Sequence, residues 1–310
     1  MLRTVALAVA LSSALSLGVV AVQADPTAST PTPASGYPQE IQQWRQQRLQ
    51  RLTAPDGWLS LIGLEWLKEG ANRIGSAADN DIVLKAGPAH LGVATLDKNG
   101  TIHLALTADS GATIDGKPLR EAVLVDDMHA GHAEPTSVRF GTANFYAIDR
   151  DGRKGLRVKD SNADTRTHFL GLDYFPTDPS WRIEADWVPF DPPHELEMGS
   201  VLGTVNKEKV PGKAVFQHDG HTYELLPIQE DADSLFFVLA DRTSGRETYG
   251  AARFLSTPLP HNGKLVLDFN KATNPPCAFT PFATCPLAPP ENRLDVAVTA
   301  GEKNYRGSHH

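Results

Sequence analysis

The chain has 310 residues, with 29 Lys and Arg against 37 Asp and Glu and a formal net charge of −8. A hydrophobic share of 41% can bury a core, so global disorder is excluded, and the length favours two domains over one. The acidic balance argues against a nucleic-acid or anionic-membrane binder, which needs a basic footprint.

Met1-Leu2-Arg3 is a short positive start, and Val5 to Val22 is apolar apart from Ser12, Ser13, Ser16 and Gly18. With Val22-Gln23-Ala24 as a peptidase exit, residues 1–24 are expected to be a secretory signal cleaved after Ala24. That places the mature chain in the periplasm or outside the cell, with no stable membrane insertion after cleavage. An uncleaved anchor is the alternative, since the run nears the length that spans a bilayer. Residues 25–38 are rich in Pro, Thr, Ser and Ala and are expected to be a disordered linker.

Residues 39–69 are expected to give an amphipathic helix and a strand. Ile41, Trp44, Arg45, Arg48, Leu49 and Leu52 recur at spacings of three and four, and Pro55 and Gly57 end the helix. From Gly70 the pattern becomes short strands divided by glycine turns. Lys98-Asn99-Gly100 is a hairpin signal, because Asn-Gly accepts positive φ, and Asp115-Gly116 gives a second turn. Regular short strands over 70–150 predict a β-sandwich.

This stretch resembles a forkhead-associated (FHA-like) sandwich, on Arg73-Ile74-Gly75, Asn80-Asp81-Ile82-Val83-Leu84, His90, Gly111, Ile114-Asp115-Gly116 and Val138-Arg139-Phe140-Gly141. Where that family holds phosphothreonine with Arg, Ser and Asn, this chain carries Ser76, Pro88-Ala89 and Asp115. An anion site needs donors and positive charge, so the resemblance implies the fold without its phosphopeptide site.

Residues 151–305 predict a second antiparallel β domain, a barrel or curved sandwich. Trp181, Ile183, Ala185 and Trp187 alternate along one strand, and Gly199–Val205, Ala214–His218, Thr222–Pro227, Ser234–Asp241, Ala251–Leu255, Lys264–Phe269 and Leu294–Thr299 are further strand candidates. The fold class is therefore mainly β, with one N-terminal helix.

The standard catalytic motifs are mostly absent. There is no G-x-S-x-G elbow, phosphate loop or dinucleotide turn, and so no cofactor is expected. His194-Glu195-Leu196-Glu197-Met198 has methionine where a zincin helix needs its second histidine. The pairs His129/His132 and His218/His221 flank glycine turns and read as solvated histidines, so no metal is expected. Cys277 and Cys285 are near in sequence, and in an oxidising compartment they are most simply a disulfide; two free thiols or two metal ligands are the alternatives.

The dense stretch is Asp268 to Arg293, a long proline-pinned loop with Asn270, Lys271, Asn274, Phe279 and Phe282, preceded by Arg242, Thr248, Tyr249 and Arg253. FFVLADRTSGRETYGAARFL, DFNKATNPPCAFTPFATCPLAPPENRL, AGEK and the upstream DYFPTDPSWRIEA closely resemble the bacterial family called domain of unknown function 1684. That resemblance implies a β-rich protein and supplies no activity.

Two functional classes fit these residues. In a binding module, Arg242, Arg253, Lys271 and Arg293 meet a small anionic or sugar-like ligand, Tyr249 closes the site, and Thr248, Asp268, Asn270 and Asn274 add polar contacts. In a carboxylate-dependent hydrolase or lyase, Asp241 or Asp268 works with Glu247, Glu291 or Glu302. A structural protein of the cell envelope is the third reading, in which the same asparagines and arginines only pin loops to the sheet.

Overall fold

The computed structural model describes residues 36–307 except His132 and Glu230. The expected signal, most of the linker and one member of the first histidine pair lie outside the described residues. Helix α1 spans Tyr37–Leu52 and buries Tyr37, Ile41 and Leu52. Leu49, expected on the same face, is 40% exposed.

Ten strands follow: β1 (Leu61–Trp66), β2 (Gly70–Gly75), β3 (Ile82–Val83), β4 (Gly92–Leu96), β5 (Ile102–Leu106), β6 (Thr113–Ile114), β7 (Glu121–Leu124), β8 (Ser137–Phe140), β9 (Ala143–Arg150) and β10 (Arg153–Asp160). They form two five-stranded sheets, ordered β1-β10-β9-β8-β6 and β3-β2-β4-β5-β7. Alternation explains the layering: Ile102, Leu104 and Leu106 turn inward while His103 and Ala105 turn out. They meet Phe140, Phe145, Leu156 and Val158 of the opposite sheet in one core. The predicted turns are present, with Gly100 at φ +84° and Gly116 at +73°, values that favour glycine. β1 and β10 extend this sandwich beyond the expected 70–150. The positions that match the forkhead-associated pattern serve local bonds: Arg73 pairs with Asp81 and Asp115 accepts the Ser137 amide.

A one-turn helix, α2 (Asp164–Thr167), leads into six further strands: β11 (Arg182–Gly199), β12 (Val205–His218), β13 (His221–Leu225), β14 (Ser234–Leu239), β15 (Arg253–Pro258) and β16 (Lys264–Asp268). One sheet runs β13-β12-β11-β16, and β14 pairs β15 separately. α2 adds a helix to the single one expected. β14 is buried on both faces: Leu235, Phe237 and Leu239 enter one core, and Val238, with Ala240 just past the strand, enters another with Leu196, Met198 and Val210. His194–Met198 lies in β11, paired to β12, so its near-zincin spacing falls on a strand.

Two strand expectations are corrected. Residues 200–204 form the turn between β11 and β12, where Ser200 and Thr204 close on one another. Leu294–Thr299 keeps a strand's alternating burial but joins no sheet. Its N-terminal part bonds to Ala240 and Arg242. Further on, side chains replace the ladder: the Asp241 carboxylate accepts the Val298 amide, and Arg253 donates to the carbonyls of Val298 and Ala300. No helix among the described residues is long and apolar enough to cross a membrane.

Candidate functional site

The nine residues expected at a ligand site do not meet at one point. Arg253 is 1% exposed and donates to Asp241 at 2.6 Å, to Ala300 at 2.5 Å and to Val298 at 3.0 Å. Asp241 also accepts from the Thr243 amide and hydroxyl, and Thr243 bonds Thr248. Burial pushes the Arg253 guanidinium below its usual range, and the Asp241 charge works the other way. This is an interior polar knot with no face toward solvent. Arg242 pairs with exposed Asp295, and Arg293 donates to the Ala288 carbonyl. Tyr249 lies in a separate aromatic patch with Leu52, Leu59 and Phe279.

Asp268, Asn270, Lys271 and Asn274 share another task, which is to dock α1. Tyr37 donates to Asp268 at 2.7 Å, and Asn270 donates to the Tyr37 oxygen at 3.0 Å. Burial and then Asp268 raise the Tyr37 phenol. Arg48 donates to Glu302 at 2.9 Å and to the Asn274 carbonyl at 3.0 Å, while Glu302 also accepts the Asn274 amide at 2.7 Å. Lys271 reaches Glu40 at 2.5 Å, and that bond holds the Glu40 carboxyl below its ordinary value.

Where α1 crosses the β14–β15 hairpin, it leaves a cleft of about 260 Å³. Trp44, Arg48 and Arg51 line it from the helix, and Phe236, Phe254, Ser256, Lys271 and Thr273 from below. Trp44, Arg48 and Arg51 lie four and three residues apart, so they share one side of the helix. The cations stand in its C-terminal half, where the helix dipole favours positive charge. Phe236 and Phe254 pack edge to face with centroids 4.9 Å apart. Among the described residues Arg51 has no ion-pair partner. The cleft thus sets Arg51, beside Arg48 and Lys271 whose charges Glu302 and Glu40 already meet, and two hydroxyls against an aromatic wall, a lining that suits an anion carrying a ring or apolar part. Of the expected site residues only Lys271 lines it. Trp44 and Arg48 belong to the helix periodicity read from the sequence; Arg51 was missed, although its spacing of three from Arg48 was an available signal. Phe236 and Phe254 gave none, because strand aromatics read as core.

Two other features are less apt. A cavity of about 470 Å³ on the sandwich mixes Asp56, Asp127 and Glu134 with Arg139 and Lys159, and so favours neither sign. Asp126, His129 and Asp149 gather ligand atoms within 4.8 Å of one another. Lys154 Nζ already fills the gap, at 2.6 Å from Asp126 and 2.8 Å from Asp149. Burial disfavours the Asp126 charge, but the Lys154 and His129 hydrogen bonds prevail and hold its carboxyl down to about 2.

The expected disulfide is corrected. Cys277 and Cys285 are both free. The pair is two free thiols, the alternative the sequence left open, with the Cys277 amide donating to Cys285 Sγ at 3.2 Å.

The family described as Protein of unknown function (DUF1684) matches residues 167–303. The solution NMR structure of an uncharacterized protein from Haloarcula marismortui is 30% identical over 46% of this chain and 80% of that one, with a TM-score of 0.37. No curated protein matches the chain. The matched span holds Phe236, Phe254 and Lys271 of the cleft, and α1 precedes it.

Proposed function

Because the chain belongs to the DUF1684 family, whose description carries no activity, the reading has to come from the site, and we propose that the protein binds a small anion with a ring or apolar part, such as a sugar acid or polysaccharide fragment, in the cleft between α1 and the β14–β15 hairpin. The supporting observation is Arg51, a cation with no ion-pair partner among the described residues, lining one cleft with Phe236 and Phe254 and with the paired cations Arg48 and Lys271. Charge-assisted hydrogen bonds orient the anionic group, and the aromatic wall takes the ring. Residues 1–24, read from the sequence as a signal, support a binding role outside the cytoplasm. The carboxylates offered for hydrolysis are less suited to it: Asp241 is bound to Arg253, Glu302 to Arg48, and Asp268 to Tyr37.

Isothermal titration of residues 25–310 against sugar acids and sulfated sugars tests the reading. Arg51→Ala removes one cation without touching a structural bond and is expected to weaken binding about tenfold, the worth of a single charge-assisted hydrogen bond. Arg242→Ala, which changes a surface pair elsewhere, is expected to leave affinity unchanged. If no compound of this class binds, or if Arg51→Ala binds as tightly as the parent, the cleft is not the site.

A further inference from the structure

Arg157 of β10 is a buried cation without a counter-charge. Its side chain lies in a residue that is 2% exposed, and no carboxylate pairs with it among the described residues. Nη1 donates to the Tyr146 hydroxyl at 3.2 Å and Nη2 to Thr284 Oγ1 at 3.1 Å, while buried Nε has no acceptor. The Trp58 ring lies 5.3 Å from the guanidinium. Burying an unpaired charge is expensive, so the surroundings of Arg157 call for an anion that neutral Tyr146 and Thr284 do not supply.

The group in place to supply it is a thiol. Thr284 adjoins Cys285, whose sulfur accepts the Cys277 amide at 3.2 Å, and the positive field of Arg157 reaches both sulfurs. Cys277 is half-buried, in the turn Pro276–Ala278, whereas Cys285 is buried among Leu61 and Ala283. The Cys285 side-chain hydrogen bond is the largest influence lowering the Cys277 thiol, burial opposes it, and the backbone bond between the two residues and then the Arg157 charge add to it; the same side-chain bond and then burial push the Cys285 thiol up. Cys277 is therefore the more accessible sulfur of a pair already in contact, and access is a requirement for an attacking thiol.

We propose that Cys277 and Cys285 form a redox-active dithiol, with Cys277 as the attacking sulfur, Arg157 as its counter-cation and Cys285 as the resolving sulfur, and with a small hydroperoxide as oxidant. A half-buried sulfur within a proline-bounded turn admits a small oxidant more readily than another protein's disulfide. In the first step the Cys277 thiolate attacks the terminal peroxide oxygen. An S–O bond forms, the O–O bond breaks, and the alkoxide leaves and takes up the proton that Cys277 had released. The sulfur becomes a sulfenic acid, oxidised by two electrons, as the peroxide is reduced to an alcohol. In the second step Cys285 attacks the Cys277 sulfur, the S–S bond forms, and the hydroxyl leaves with the Cys285 proton as water. The sum is two thiols and one hydroperoxide giving a disulfide, an alcohol and water. The site is separate from the α1 cleft, so it stands or falls independently of anion binding.

The test uses the reduced full chain with one equivalent of hydrogen peroxide, read by intact mass. The parent is expected to lose two hydrogens, with a peptide map joining Cys277 to Cys285. Cys285→Ser is expected to gain one oxygen at Cys277 that a sulfenic-acid trap captures, and Cys277→Ser to change neither way. Arg157→Met is expected to slow the parent reaction about tenfold or more at neutral pH, one pKa unit of lost thiolate being worth tenfold; Arg157→Lys keeps the charge and much of the rate. Should Arg157→Met fail to fold, the two cysteine variants still decide. Equal oxidation of Cys277→Ser and the parent, or a parent no faster than the urea-unfolded chain, overturns the proposal.

Discussion

Asp241 and Arg253 are 2.6 Å apart with side chains 0% and 1% exposed, while Arg242 and Asp295 lie equally close with side chains 60% and 82% exposed. The same chemistry in two environments has opposite consequences. Removing one partner of a buried pair strands a charge away from water and costs about 3–5 kcal/mol, whereas a surface pair is worth about 0–1 kcal/mol. Arg253→Met also frees the carbonyls of Val298 and Ala300, so it is expected at the upper end of that range, and Arg242→Ala near zero. Urea unfolding at constant m reads both. Equal midpoints for the two variants would show that the knot is not holding the 294–300 segment. Nothing local in the linear chain separates Arg242 from Arg253, since the first closely follows the apolar run Leu235–Ala240 and the second precedes Phe254-Leu255. Burial, which is non-local, decides that one is structural.

At the scale of elements, periodicity made α1, the short strands from β2 to β5 and the Asn99-Gly100 hairpin legible, because each is set by local spacing or local φ. The failures share a cause. Leu294–Thr299 has strand alternation, but side chains from residues 241 and 253 take its backbone groups. The β11–β12 ribbon hid at Gly199–Val205, where the turn falls between two charged strands. The dense loop after Asp268 was recognisable as special, yet its partner α1 stands some 230 positions earlier, so the docking function of Asp268, Asn270 and Asn274 could not be read locally. The Tyr37 hydroxyl is central to that docking, as donor to Asp268 and acceptor from Asn270. Tyr37→Phe leaves those buried groups short of a partner and is expected to cost about 1–3 kcal/mol. The loss should be local: α1 amides exchange faster with solvent, and β9 amides do not. Uniform acceleration in hydrogen-exchange mass spectrometry would mean that α1 docking and the sandwich are one folding unit.

On the scale of the whole molecule, the described residues 36–307 belong to one compact unit, and specific bonds cross between its two β regions. Arg150 and Arg157 of the sandwich both donate to Thr284, and Leu61 of β1 packs on Ala283 and Cys285. Acid provides a way to probe this coupling from inside the sandwich. Asp126 is held down to about 2 in the fold, below the ordinary carboxylate value. A depressed folded value means that the unfolded chain binds the proton first as pH falls, so the contribution of Asp126 is complete above about pH 4–5 and declines as pH approaches 2. Asp126→Asn therefore destabilises at pH 7 and is neutral near pH 2, which flattens the acid limb of stability against pH. In one cooperative unit, the amides of β9 and of distant β16 lose protection together in this variant. If β9 alone responds when exchange is followed from pH 7 to pH 2, the Thr284 contacts are too weak to transmit unfolding, and the two β regions melt as separate bodies.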